Sequence, residues 1–237
     1  MLMYTDEEIK TPVTQNARLP IEIEEPYDGF YGNGDLNVLF DMQLWLDVIT
    51  FGNYRKMLRA LLKEIRPGDR VLQMGATFGI QTERTAYAVG INGKYTLIDT
   101  RRSQIRRCEN KYNYLLANLD IRKGDARNFK NPEKYNVVIC WNLLHELPPL
   151  SKIRAVNNAL DLLAPKGKAI FIDYHNPSKW NPLRYFIRMF NRLYQPFAEK
   201  IWEREISTYA AKRTDYSWRK SVFSGGMYQK VVATRKR

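Results

Sequence analysis

"VLQMGATFGIQTERTAYAVGINGKYTLIDT", residues 71–100, is the stretch whose reading decides the fold. It reads as a strand (71–74), a glycine-bearing turn, a helix (81–89) and a second strand (94–99) that ends in Asp99. A nucleotide-binding βαβ unit begins this way, because the turn delivers backbone N–H groups at a helix N-terminus and the next strand ends in an acid. The turn departs from the usual pattern twice. Gln73 stands where an acid commonly follows the first strand, and the glycines thin to Gly75 and Gly79 with Thr77 between them. A G-x-G-x-x-G fingerprint is absent, so the glycines alone fit a plain strand-to-helix turn equally well.

Outward from this unit, strands and helices alternate. Residues 37–65 carry apolar positions at helical spacing, broken at Gly52-Asn53, and "RPGDR" (66–70) is a turn. Downstream come a helix over 102–116, a short strand over 119–122 and a β-branched strand, "YNVVICWN" (135–142). A helix over 152–163, a turn "APKGK", a strand "AIFIDYH" (169–175) and two tail strands joined through Gly225-Gly226 complete the chain. The alternation predicts an α/β fold: a mostly parallel sheet of seven strands, helices on both faces, and a terminal antiparallel hairpin. Residues 1–52 are expected as an N-terminal helical cap segment, and 53–237 as the α/β domain with a basic, aromatic helical insertion at 176–212.

Composition narrows the class. The chain of 237 residues is 44% hydrophobic and 13% aromatic, which supports a packed core and argues against disorder. Its two cysteines, Cys108 and Cys140, form no CxxC, as expected of a reduced compartment. "MLMYTDEEIK" is acidic where a secretion signal would be basic, and no stretch approaches the roughly 20 apolar residues a spanning helix needs. The expectation is a cytoplasmic protein, peripheral on the inner face of a membrane or on the matrix side in a mitochondrion-related organelle. Charge is uneven: residues 1–47 hold ten Asp/Glu against two Lys/Arg, and 176–237 hold fourteen Lys/Arg against four Asp/Glu. A net charge of +13 with a basic C-terminal third fits an anionic membrane surface, a nucleic acid or a charged cofactor, or else a solvated basic face.

In such sheets ligands bind beyond the C-terminal ends of the strands. Asp99 there can accept from both ribose hydroxyls, and Asp125, with Ala126 beside it, can hold an adenine amino group. Trp141 and Asn142 line the same crevice, and Tyr54 either closes over a cofactor or packs its helix. An acid at each of two successive strand ends tips the reading toward a nucleoside cofactor.

These residues resemble the class I S-adenosylmethionine (SAM) methyltransferases. "VLQMGATFG" stands at that family's V-L-D-x-G-x-G-x-G motif, "LID" at its ribose acid, "KGDARNF" at its adenine-site acid, and "LLAPKGKAIF" at its turn before the fifth strand. The resemblance spans about residues 53–237 and implies a Rossmann-like SAM fold. "FGNYRKM", Gln73, "LLHELP" and "DYHNPSKWNPL…QPFAEKIW" further resemble the rhodoquinone-biosynthesis proteins, relatives of the ubiquinone C-methyltransferases. That resemblance implies SAM as an amino donor, a divalent metal such as Mn2+, and a ubiquinone-type lipid substrate whose ring methoxy group is replaced by an amine.

The two histidines, His145 and His175, fall just past the fourth and fifth strands, beside Glu146, Asp173 and Tyr174. A His/His/carboxylate group suits a divalent metal, with His145, Asp173 and His175 as ligands, or acid–base chemistry by His145, Glu146, Tyr174 and His175. The bland alternative is that His145 caps a helix and His175 packs under the "NPSKW" turn. Along 181–202, Arg184, Arg188 and Arg192 form a stripe beside apolar residues, as in a helix lying at a membrane interface or a lid over the core. Three functions compete: SAM-using transfer to a quinone, by amino transfer or ordinary C-methylation; nucleic-acid methylation, disfavoured because "WNLLHELPP" replaces an N/D-P-P-Y/F motif; and a non-catalytic SAM-fold binding protein.

Overall fold

The structure, a computed structural model, describes residues 46–47, 50, 52–115, 118–178, 181, 184, 185, 188, 199–223 and 225–236. Most of the expected cap segment over 1–52, and most of the helix expected over 181–202 with Arg192, lie outside the described residues.

Seven strands form one sheet: β1 (Arg70–Met74), β2 (Lys94–Asp99), β3 (Leu119–Lys123), β4 (Tyr135–Trp141), β5 (Leu163–Tyr174), β6 (Tyr216–Phe223) and β7 (Tyr228–Arg235). Their order across the sheet is β3-β2-β1-β4-β5-β7-β6. β1 to β5 run parallel, and β7 lies antiparallel between β5 and β6. The parallel part winds outward in both directions from β1 and β4, which places the topological switch between them. A ligand crevice opens at such a switch.

Period-two alternation sends successive side chains to opposite faces. Val71, Tyr95, Leu97, Val137, Ile139 and Ile170 pack under helices α1 (Asn53–Leu62), α2 (Gln81–Val89) and α3 (Arg102–Lys111). Leu72, Met74, Ile98, Val138, Cys140 and Phe171 meet Ala155, Val156 and Ala159 of α4 (Pro149–Asp161) on the other face. Both faces being covered explains why the central strands read as apolar runs. Each helix buries one stripe; α1 does so through Met57, Leu58 and Leu61 at i, i+1, i+4.

The expected ranges for α2 and β2 match the structure. Others shift. The helix expected over 102–116 stops at Lys111 and continues as a 3-10 turn, Asn113–Leu115, while α4 begins three residues early because Pro149 fits the first helical turn. "APKGK" is not a separate turn but the first part of β5. Leu163 pairs with Tyr135, the register then shifts at a bulge, and Lys166 takes φ 66°.

One ion cluster fastens α1 to the distal half of the sheet. Glu64 accepts from Lys230 Nζ at 2.9 Å, Arg219 Nη2 at 2.7 Å and Lys168 Nζ at 3.0 Å, and Lys230 also donates to Ala60 O at 2.9 Å. Burial alone would raise the Glu64 pKa, but the hydrogen bonds and charges of Lys230 and Lys168 outweigh it and hold the carboxyl at about 2. Among the described residues no helix is long and apolar enough to cross a membrane.

Candidate functional site

The turn between β1 and α2 is braced from three sides. Gly75 and Gly79 hold φ 87° and 76°, which a side chain rarely tolerates, and a Cβ on Gly79 would meet Tyr54 Oη at 2.8 Å. Tyr54, 2% exposed, donates to Phe78 O at 3.0 Å and accepts the Gln81 N–H at 2.9 Å, so it is pinned to the turn. Its ring meets Trp141 edge-on, centroids 5.7 Å apart. From α3, Arg107 donates to Thr77 O at 2.8 Å, and Lys111 and Tyr112 donate to Gly79 O at 2.9 and 3.1 Å. With these carbonyls tied back, the turn holds one conformation.

Gln73 faces inward. It is fully buried, accepts from the Tyr95 hydroxyl, and donates to Gly75 O at 3.0 Å and to Thr77 Oγ1 at 3.4 Å. Thr77 donates to Gln81 Oε1 at 2.7 Å, and Gln81 to Thr85 Oγ1 at 3.0 Å. The amide at position 73 is thus the keystone of a closed polar network, since a carboxylate would set a second acceptor against the Gly75 carbonyl. Arg107, Lys111, Tyr112 and Tyr95 were not singled out from sequence. The four-residue spacing of Arg107 and Lys111 in the helix after Asp99 was the available signal.

Asp99, at the end of β2, accepts the Ala76 N–H and the Arg101 N–H, each at 2.8 Å. Each carboxylate oxygen retains a lone pair, and the side chain is partly exposed. Asp125 is engaged differently: Arg127 of its own turn donates to it from N at 2.8 Å, from Nε at 3.0 and 2.9 Å, and from Nη2 at 2.8 Å. Ala126 beside it is buried, and its carbonyl accepts from Asn158.

At the other side of the switch, the chain leaves β4 through Asn142 (φ 49°) into a 3-10 turn, Leu144–Glu146. Asp173, 1% exposed, receives this turn: it accepts the N–H groups of Leu144 and His145 at 2.8 and 3.2 Å, the Tyr174 N–H at 2.7 Å, and pairs with His145 Nδ1 at 2.8 Å. His145 is 2% exposed, with Tyr174 packed on its ring at 4.4 Å. Burial favours the neutral ring, but the Asp173 carboxylate, helped by Glu146 and opposed by Lys152, outweighs it and raises the His145 pKa above its ordinary value. Glu146 lies 3.9 Å from Nε2 and 4.0 Å from Arg101.

His175 points elsewhere. Its Nδ1 lies 2.9 Å from Gly226 O in the β6–β7 turn, and burial, the largest cause, lowers its pKa. The expected metal set of His145, Asp173 and His175 is therefore not assembled. Asp173 and His145 satisfy each other, His175 is bound to a carbonyl, and no group of three His, Cys, Asp or Glu among the described residues is placed to hold a metal. A SAM-like molecule fits the residues better. A braced glycine turn, a carboxylate with lone pairs to spare and two buried atoms without a hydrogen-bond partner, Asn142 Oδ1 and His145 Nε2, stand at or just past the C-terminal ends of the central strands.

Residues 71–167 match the family model of a methyltransferase domain. Two ubiquinone/menaquinone biosynthesis C-methyltransferases, from Shewanella sediminis and Shewanella woodyi, are 26% and 25% identical over 137 residues, 55% of this chain and 53% of theirs. The chain thus spans about half the length of these curated relatives. Among solved structures, the N-methyltransferase NodS of Bradyrhizobium japonicum in complex with S-adenosyl-l-homocysteine superposes with a TM-score of 0.58 at 15% identity, covering 88% of this chain and 95% of that one. The pyocyanin biosynthetic protein PhzM gives 0.57 at 15% identity over 87% of this chain and 66% of its own. The chain therefore has the fold of the class I SAM-dependent methyltransferases, and residues 71–167 within it match the model of a methyltransferase domain.

Proposed function

We propose that the protein is a SAM-using transferase acting on the ring of a membrane quinone. The observation that carries this reading is the methyltransferase domain whose glycine turn and Asp99 stand at the switch point, in a chain related to quinone C-methyltransferases. The N–H groups of the Gly75–Gly79 turn would hold the amino-acid end of SAM, Asp99 the ribose hydroxyls, and Asp125 and Ala126 the adenine, with Trp141 and Asn142 closing the crevice. SAM supplies the transferred group. The protein's own residues bind, orient and exclude water.

Two transfers fit this site. Replacement of a ring methoxy by the SAM amine, giving rhodoquinone from ubiquinone, is favoured by the likeness of "DYHNPSKWNPL" and by neutral Gln73, which leaves that amine without an anionic neighbour at this position. Ordinary C-methylation is favoured by what the curated relatives are named to do. The basic segment 176–237 would rest on the anionic membrane that carries the substrate. SAM labelled separately at its amino nitrogen and its methyl carbon decides between the transfers. Nitrogen label in the extracted quinone means amino transfer, methyl label means methylation, and neither label in any quinone overturns the reading.

A further inference from the structure

Three polar side chains stand in one row across adjacent strand ends. Asp173 of β5 pairs with Gln229 of β7, and Asn142 follows Trp141, the β4 partner of Ile172. Alternation puts all three on the face covered by α4, with Phe171, Val231 and Cys140. Part of the row is spent on the protein itself. Gln229 Nε2 donates to Tyr174 O at 2.9 Å, and Asn142 N–H to Ile172 O at 2.7 Å. Left over are Asn142 Oδ1, Gln229 Oε1 and, on the turn above, His145 Nε2, all buried without a hydrogen-bond partner. Buried polar atoms are rarely left so, and three at one strand end point to something that satisfies them.

His145 Nε2 stands out because the other side of its ring is fixed. The Asp173 carboxylate collects three backbone N–H groups together with His145 Nδ1, so it is an acceptor throughout and Nδ1 carries the proton. Nε2 of the neutral ring then presents a lone pair. Tyr174 holds the ring plane, and Glu146, at 3.9 Å, is beyond hydrogen-bond reach of Nε2.

We propose that His145 Nε2 takes the hydrogen bond of a ring hydroxyl on a hydroquinone acceptor, with Asp173 as its positioning residue. This rests on the quinone reading above. The step is a proton transfer: the O–H bond breaks, its electron pair stays on oxygen, the proton joins Nε2, and Nδ1–H stays hydrogen-bonded to the Asp173 carboxylate. It makes the ring electron-rich for the electrophilic methyl group of SAM, so it belongs to the C-methylation of the two transfers above, and such positioned bases contribute typically 100-fold or more to rate.

With only two histidines, the chain is suited to 15N-histidine NMR, His175→Asn assigning the signals. The full-length protein is titrated with a dimethoxy-methylbenzoquinol, with and without SAM. The expected result is an Nδ1-protonated His145 whose Nε2 resonance moves on adding the quinol. Asp173→Asn must set its amide N–H groups either against the Leu144 and His145 N–H groups, loosening the turn, or against Nδ1, which loses the Nδ1–H tautomer, so the wild-type His145 signal should change either way. His145→Gln should cut turnover by about 100-fold or more with SAM affinity within about twofold. An unmoved His145 resonance in wild-type protein that binds SAM, or full turnover in His145→Gln, overturns the inference and leaves the SAM reading standing. A moved resonance in protein that does not bind SAM does the reverse.

Discussion

Glu64→Gln removes one negative charge and little volume from the cluster that joins α1 to β5, β6 and β7. The drop in carboxyl pKa from 4.5 to about 2 corresponds to at most ~3 kcal/mol of preference for the ionised form. Arg219 is 66% and Lys168 25% exposed, so water screens part of it, and about 1.5–3 kcal/mol is the expected loss. Lys230, 9% exposed, keeps Ala60 O and so is not stranded. In a domain of this size the midpoint of thermal unfolding should fall by roughly 4–10 °C at pH 7. The pH dependence carries the sign. A carboxyl whose pKa is depressed on folding stabilises above its unfolded pKa and loses that as pH falls through the folded value. The difference between wild type and Glu64→Gln should therefore be full above about pH 5.5, roughly three-fifths as large at pH 3.5, and gone near pH 1. Urea titrations at pH 7 and 3.5 read both numbers. Equal midpoints at pH 7, or a gap that stays constant as pH falls, would refute the assignment of that stability to the Glu64 carboxylate.

Asp99→Ala should weaken SAM binding by about 3 kcal/mol, roughly 100-fold, through two lost charge-assisted hydrogen bonds. Calorimetry showing unchanged affinity removes Asp99 from the site. Gly79→Ala should cost on the order of 1–3 kcal/mol in stability, because φ 76° and the Tyr54 hydroxyl at 2.8 Å both oppose a Cβ, and a variant as stable as wild type in urea contradicts that packing. Changing Arg184, Arg188 and Arg192 to Gln should reduce sedimentation with anionic vesicles at low salt. Equal wild-type binding to neutral and anionic vesicles at every salt concentration counts against a membrane-facing insertion.

The sheet was legible because its signals are local. α2 and β2 show unbroken periodicity between turn residues, and Asp99 is where the turn needs an acceptor. Pro165, Lys166 and Gly167 misled because those residues mark turns, whereas here a bulge absorbs them within a paired strand. The two histidines misled for a different reason. Being near two neighbouring strand ends does not fix direction: β5 keeps pairing with β7 past Asp173, and that brings His175 to Met227 and Gly226 of the β6–β7 turn. The actual partner of His145 is the acid two residues earlier, which sequence spacing ranked only as a metal ligand. Gln73 could not be read as a buried keystone, because Tyr95 lies 22 residues away and becomes its partner only when β2 pairs with β1.

The antiparallel insertion of β7 has a consequence for the order in which the molecule is built. β6 leaves the ribosome before β7, yet among the described residues its only sheet neighbour is β7, so it has no described edge to join until the later strand has seated against β5. The same late strand brings Gln229 opposite Asp173 and the Met227 carbonyl to the His175 N–H. A nascent chain halted before Tyr228 would hold the glycine turn and Asp99 side by side but lack Gln229 beside Asp173, where the acceptor is proposed to sit. Under the proposed function, cofactor capture can thus precede acceptor capture during synthesis, and the acceptor side of the site waits on β7.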